Sequence, residues 1–243
     1  MADPRPPAGL QAISELGRVL AISPHLDDAA FSCGALLAAC ASPTVVTVFA
    51  GAPPADAPLT EWDAACGFAS GREAMRVRQA EDQDAMQALG ARPVYLPFLD
   101  AQYQATPTLH AVEHALRQVV ARERADTVLF PLGLFHSDHA LVHRAALAVQ
   151  RTDGARRWVA YEDALYRRKP GLLQRRLAEL YSRGVGLTPL WFTGAAAWHA
   201  KAQAVSAYAS QLHGVGLDRA AGGDPATPEG YWRLHPMPQA GSP

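Results

Sequence analysis

A chain of 243 residues, 49% hydrophobic and 19% charged, is long enough to bury a substantial core and has the balance of a globular domain. A formal net charge of -1 gives no bulk attraction to polyanions, so no nucleic-acid partner is expected. Three cysteines without close-pair spacing exclude a cysteine zinc module or disulfide scaffold, and no apolar run approaches a membrane span. A cytoplasmic location is the expectation, and self-association into a homo-oligomer is left open.

Residues 1–15, rich in proline and alanine, read as a flexible arm without the pattern of a signal peptide. The apolar run Val19–Ile22 reads as a buried strand, followed by the turn Ser23-Pro24-His25-Leu26-Asp27-Asp28 and a small-residue helix to Ala39. Thr44–Ala50 is a second strand, and residues 51–63 a proline-bearing loop long enough to suggest a functional role. The helical pattern of Arg72–Leu89 ends at Gly90, and the strand Val94–Phe98 leads to Asp100. A helix over Leu109–Arg124 and the strand Thr127–Leu132 bring in a second charged turn, His136-Ser137-Asp138-His139, opening a helix to Gln150. Strand Trp158–Tyr161, helix Leu172–Tyr181, a late strand over Leu187–Thr193 and a final helix over Ala195–Leu212 follow. The Gly/Pro-rich tail 214–243 is expected to dock only partly, through Tyr231, Trp232 and Leu234. Strands alternating with helices predict one α/β domain over 16–213: Rossmann-like, three-layered, with a mostly parallel sheet and helices on both faces.

In a parallel sheet the two charged turns share one edge, so His25, Asp27, Asp28, His136, Asp138 and His139 are expected around one pocket. Two imidazoles and a carboxylate with an open position suit a catalytic zinc ion. His25 and Asp28, three apart, can face the same way. Asp27 then points elsewhere and stays free as a base, and His139 supplies a third ligand. The competing reading is structural: Asp27 or Asp28 caps the first helix, and Asp138 the second. His143 reads as core, and His110 and His114 receive no role. Glycines of a dinucleotide fingerprint, a P-loop and a G-x-S-x-G elbow are absent.

Pro24-His25-Leu26-Asp27-Asp28 together with His136-Ser137-Asp138-His139 resembles the zinc-dependent de-N-acetylases of the PIG-L/LmbE-like family. Arg78-Gln79-Ala80-Glu81, Asp100, Tyr161-Glu162-Asp163 and Lys201 with Tyr208–Gln211 are also similar to family segments, so the likeness runs from Val19 to Gln211. Leu26 and Ser137 stand where many members have proline, both at spacer positions. The resemblance implies one Zn2+ per chain held by His25, Asp28 and His139, with other divalent metals admissible. It implies Asp27 as general base, a protonated His136 stabilising the oxyanion, and Asp138 orienting His136 and raising its pKa. The leaving amine would take its proton from Asp27 or His136. Arg78 and Asp100 would hold substrate hydroxyls, and Trp62, Phe68 and Tyr103 could stack on a sugar or simply close the core. The function so implied is removal of an N-acetyl or other N-acyl group from an amino sugar such as an N-acetylglucosamine derivative. The alternatives are a non-sugar or antibiotic amide as substrate, or a silent metal-binding homologue.

Overall fold

The computed structural model describes residues 9–193, 197–214 and 228–237. Among the described residues, eight strands form one sheet: β1 (Leu10–Ala12), β2 (Val19–Ser23), β3 (Thr44–Thr47), β4 (Arg92–Tyr95), β5 (Thr127–Pro131), β6 (Arg157–Tyr161), β7 (Val185–Thr193) and β8 (Tyr231–Pro236). Their order is β1-β7-β8-β6-β5-β2-β3-β4. The strands from β6 to β4 are mutually parallel. β2, β5 and β6 are apolar on both faces, the mark of strands covered by helices on each side. Alternate β2 residues serve two cores: Val19 and Ala21 point to one, Leu20 and Ile22 to the other. The first core packs under α1 (Asp28–Ala39), α3 (Gly71–Ala88) and α8 (Trp198–Ala207); the second under α4 (Leu109–Glu123), α5 (Ser137–Arg151) and α7 (Leu172–Ser182). The short helices α2 (Glu61–Ala65) and α6 (Ala164–Arg167) lie in the connections after β3 and β6.

The expected parallel sheet needs correction at one side: the sheet is mixed. β8 lies between β6 and β7 and runs antiparallel to both. The cause is the segment expected to dock only loosely. Tyr231 and Leu234 are buried, and six residues of β7 pair with β8. Residues expected in the loose arm also join: Leu10–Ala12 pair with Trp191–Thr193 as a parallel edge strand. The final helix is split, α8 ending at Ala207 and α9 (Ala209–Gly214) following, while residues 194–196 lie outside the described residues.

The C-terminal segment also repairs α1, whose backbone leaves helical geometry at Cys33. The break frees amide groups that an intact helix would bond. Glu229 accepts from Ala35 N–H at 2.9 Å and Leu36 N–H at 3.1 Å, and from Lys201 Nζ at 2.7 Å. Tyr231 Oη donates to the same carboxylate at 2.7 Å.

β2 is the point where the chain changes direction: β3 and β4 are added on one side of it, β5 and β6 on the other. In open α/β sheets the crevice at such a switch, outside the carboxyl ends of the strands, is where ligands bind. Both charged turns open here.

Candidate active site

The first turn is fixed by its own polar groups. Ser23 Oγ donates to His25 O at 2.6 Å and accepts from Ala29 N–H at 3.0 Å. His25 N–H donates to Asp28 Oδ2 at 2.9 Å. Val48 and Phe49 N–H, donating to Ser23 O and Pro24 O, tie the turn to the chain after β3. The second turn is drawn close by Gly133, at φ +79°, where a Cβ would meet His143 Cβ at 2.9 Å.

The two turns bring His25, Asp28 and His139 together. Asp28 Oδ2 lies 3.2 Å from His25 Nδ1 and 3.1 Å from His139 Nε2. That spacing is near the edge of a tetrahedron with ~2.1 Å bonds, roughly 3.4 Å. The far nitrogen of each imidazole meets a carboxylate: His25 Nε2 is 3.1 Å from Asp138 Oδ2, and His139 Nδ1 is 2.5 Å from Asp163 Oδ1. Metal-bound histidines are oriented in this way. The charge balance fits a cation too. Burial alone would lower the pKa of both histidines, yet carboxylates overcome it. Hydrogen bonds to Asp138 and Asp28 hold His25 well above its usual range, and Asp28 and Asp163 raise His139 to about 9. Asp28, despite burial, is held below its usual range by His139 and His25. Here protons stand where a divalent ion would supply the positive charge. His25, His136 and Asp138 also approach one another closely enough to hold an ion. The first trio fits better, because Asp138 serves it as a support for His25.

Asp27 precedes α1 but makes no side-chain cap bond, so the capping reading does not account for it. It is buried at the pocket edge, and burial together with the negative charge of Asp28 raises its pKa to about 7. α5 is capped by His136, whose Nδ1 accepts from Asp138 N–H at 3.3 Å. A neutral His136 therefore carries its proton on Nε2. Burial, then the positive charge of His25, hold its pKa below the usual value. The negative charge of Asp138 does raise it, as expected, but burial and His25 outweigh that contribution. Asp138 Oδ2 is 3.9 Å from His136 Nδ1, while it accepts from Ala101 N–H at 3.1 Å and holds His25.

A cavity of about 350 Å3 opens over these groups, lined also by Trp62, Arg78, Asp100, Gln102 and Tyr166. Arg78 is buried rather than a solvated helix residue, and its Nη2 lies 2.8 Å from the fully buried Asp63. Asp100 accepts from Gln102 N–H at 3.0 Å and stands 3.7 Å from His25 Nε2. Tyr103 is the exception among the expected substrate residues. It does not line the cavity, and its hydroxyl donates to Asp63 Oδ2 at 2.7 Å. Phe68 stands under Arg78, 5.4 Å from ring centroid to guanidinium carbon. His143 is core, as read, its Nδ1–H donating to Pro131 O at 2.9 Å. Asp163 and Tyr166 were given no site role from sequence. The signal for Asp163 was its place just past β6, on the same sheet edge as both charged turns.

Comparison with known proteins follows the same residues. The family profile described as "PIG-L: GlcNAc-PI de-N-acetylase" matches residues 20–150, which carry both turns. A 2'-N-acetylparomamine deacetylase from Streptomyces fradiae is 33% identical over 149 residues, or 53% of this chain. The match spans about half of that relative's length (50%). Among solved structures, the A40926 pseudoaglycone deacetylase Dbv21 superposes with a TM-score of 0.71 at 28% identity, over 92% of this chain and 99% of the other. A deacetylase triple mutant from the teicoplanin biosynthetic pathway superposes with a TM-score of 0.75 at 26% identity, over 90% and 98%.

Proposed function

Because this chain belongs to the GlcNAc-PI de-N-acetylase family, we propose that it hydrolyses the N-acetyl amide of an amino sugar, such as an N-acetylglucosamine derivative. The observation that carries the reading is Asp27: a buried carboxylate with no capping duty, beside a trio of metal-competent ligands, in the family-matched segment. A protein that only bound a metal would have no use for it.

His25, Asp28 and His139 would hold the metal, zinc by its donor set and one per chain. Such an ion supplies Lewis acidity to the carbonyl and makes water acidic enough to attack near neutral pH. Asp27, whose pKa burial and Asp28 raise to about 7 before any cation is bound, would remove the proton of the attacking water. His136, neutral and protonated on Nε2, offers a donor to the oxyanion that develops, an interaction worth about 3 kcal/mol when well placed. Having taken a proton, Asp27 can return it to the leaving amine, so His136 need not be charged. Asp138 and Asp163 keep the ligand imidazoles in the required tautomer. Arg78 and Asp100 face the cavity as partners for sugar hydroxyls.

A second reading places the amino sugar on an antibiotic scaffold. It is favoured by the three relatives above, each named for an antibiotic-related substrate or pathway.

The test is amine release from N-acetylglucosamine glycosides, N-acetylparomamine and an N-acetylated glycopeptide, with metal-loaded and chelator-stripped protein in parallel. Metal-dependent release is expected, and the preferred substrate separates the two readings. No release from any of them, with metal bound, would overturn the proposal.

A further inference from the structure

Phe135 immediately precedes His136 and has two features that a structural residue would avoid. The residue is 64% exposed, and its backbone lies at φ +63°, a conformation rare for a bulky residue. His136 N–H donates to Leu134 O at 2.7 Å across it, the pattern of a strained γ-turn. The turn is clamped from behind. Leu134 is buried and its N–H donates to Asp163 Oδ2 at 3.0 Å. Glycine would occupy this backbone conformation more easily, so the turn itself does not call for a phenyl ring here. Strain of this kind persists where the surroundings over-determine it, and such places cluster at functional sites.

The ring is not isolated. Its centroid is 5.2 Å from that of Tyr166, which is 5.2 Å from that of His139 and 6.5 Å from that of His136 in a stacked arrangement. Lys169 Nζ stands 3.9 Å from the Phe135 centroid, a cation–π contact. A line of rings thus runs outward from the ligand trio, through Tyr166 in the cavity wall, to Phe135 beyond the cavity lining.

We propose that Phe135, backed by Tyr166, is an outer subsite that stacks an aromatic aglycone of the acetylated sugar. The inference rests on the amino-sugar reading above. An aromatic group attached to the sugar would extend from the cavity toward the exposed ring, whereas a methyl aglycone has no face to offer. Stacking of this kind contributes to ground-state and transition-state binding alike, so it is read in KM.

The experiment compares 4-nitrophenyl and methyl glycosides of N-acetylglucosamine on the zinc-loaded wild type, Phe135→Gly and Phe135→Tyr. Phe135→Gly removes the ring and relaxes the turn, which guards against misfolding. Expected is a wild-type preference for the aryl glycoside that drops about tenfold in Phe135→Gly, through KM, and is kept in Phe135→Tyr. A wild type with no preference, or a Phe135→Gly variant with the same preference as wild type, would overturn the subsite. If neither glycoside is hydrolysed, the deacetylase reading fails separately, and saturation-transfer NMR on the nitrophenyl protons still decides. Saturation lost in Phe135→Gly supports the subsite, and equal saturation in both proteins sinks it.

Discussion

Asp163 holds two parts of the site at once: Oδ1 lies 2.5 Å from His139 Nδ1, and Oδ2 accepts the Leu134 N–H at 3.0 Å. One carboxylate on the β6 edge thus fixes both the His139 imidazole, a proposed ligand, and the strained turn before His136. Asp163→Asn keeps the size but weakens the acceptor facing His139. The expected outcome is metal affinity reduced 10- to 100-fold, measured by competition with a chromophoric chelator, in a protein whose circular dichroism is unchanged. Asp138→Asn should act similarly through His25. Unaltered affinity in both variants would remove the assignment.

Asp27→Asn should retain metal and lose turnover by 10^2- to 10^4-fold. The pH profile adds a sign. The base works deprotonated, so kcat/KM should rise with pH through an acid limb. Without metal, Asp27 titrates at about 7, because burial and Asp28 favour the neutral acid. A cation beside it stabilises the carboxylate, so the limb of the loaded enzyme should lie below 7. An acid limb that survives Asp27→Asn would assign it to another group.

Asp82 offers a stability test away from the ligands. Tyr208 Oη is 2.7 Å from both Leu26 O and Asp82 Oδ1, and a single hydroxyl proton cannot serve two acceptors. Burial raises the Asp82 pKa to about 6, against hydrogen bonds from Tyr208 and Tyr95 that lower it, and the acid once protonated can serve Tyr208 as a donor. A pKa raised in the folded state stabilises most at pH below about 4 and loses that stabilisation as pH rises through 6. Asp82→Asn carries N–H donors in place of the acid proton. Its stability relative to wild type should therefore improve by on the order of 2 kcal/mol between pH 4 and 7, read by urea denaturation. A constant difference across that range would mean Asp82 is ionised in the fold.

Glu229 is the anchor of the C-terminal segment. Glu229→Ala strands Lys201, which is 3% exposed, together with two α1 amides. Removing one partner of a buried pair costs about 3–5 kcal/mol. Glu229→Gln, which keeps an acceptor, should cost less. Equal and small losses in both variants would show that the segment contributes little to the fold.

The parallel half of the sheet was legible because its strands are short apolar runs separated by helix-length amphipathic segments, as in Thr127–Pro131 and Leu109–Glu123. The grouping of His25, Asp28 and His139 was legible because the first two stand three residues apart in one turn and His139 follows another strand of the same sheet. β8 was not legible. Tyr231–Pro236 sits in a Gly- and Pro-rich tail, and it becomes a strand only because β6 and β7 leave a gap between them that it fills.

The sequence alone determined which chemistry was on offer: imidazoles and carboxylates placed at two strand ends, with local spacing that brings them to one edge. Tertiary structure decided how those groups divide the work. Asp138 stands two residues from His136, which it was expected to orient, and it also reaches across to His25, 113 residues away. Asp163 reaches His139 from a third strand end, 24 residues on. Spacing along a chain fixes which groups can lie on one edge. Which carboxylate meets which imidazole depends on distances of an ångström or two, and only the packing of neighbouring strands sets those.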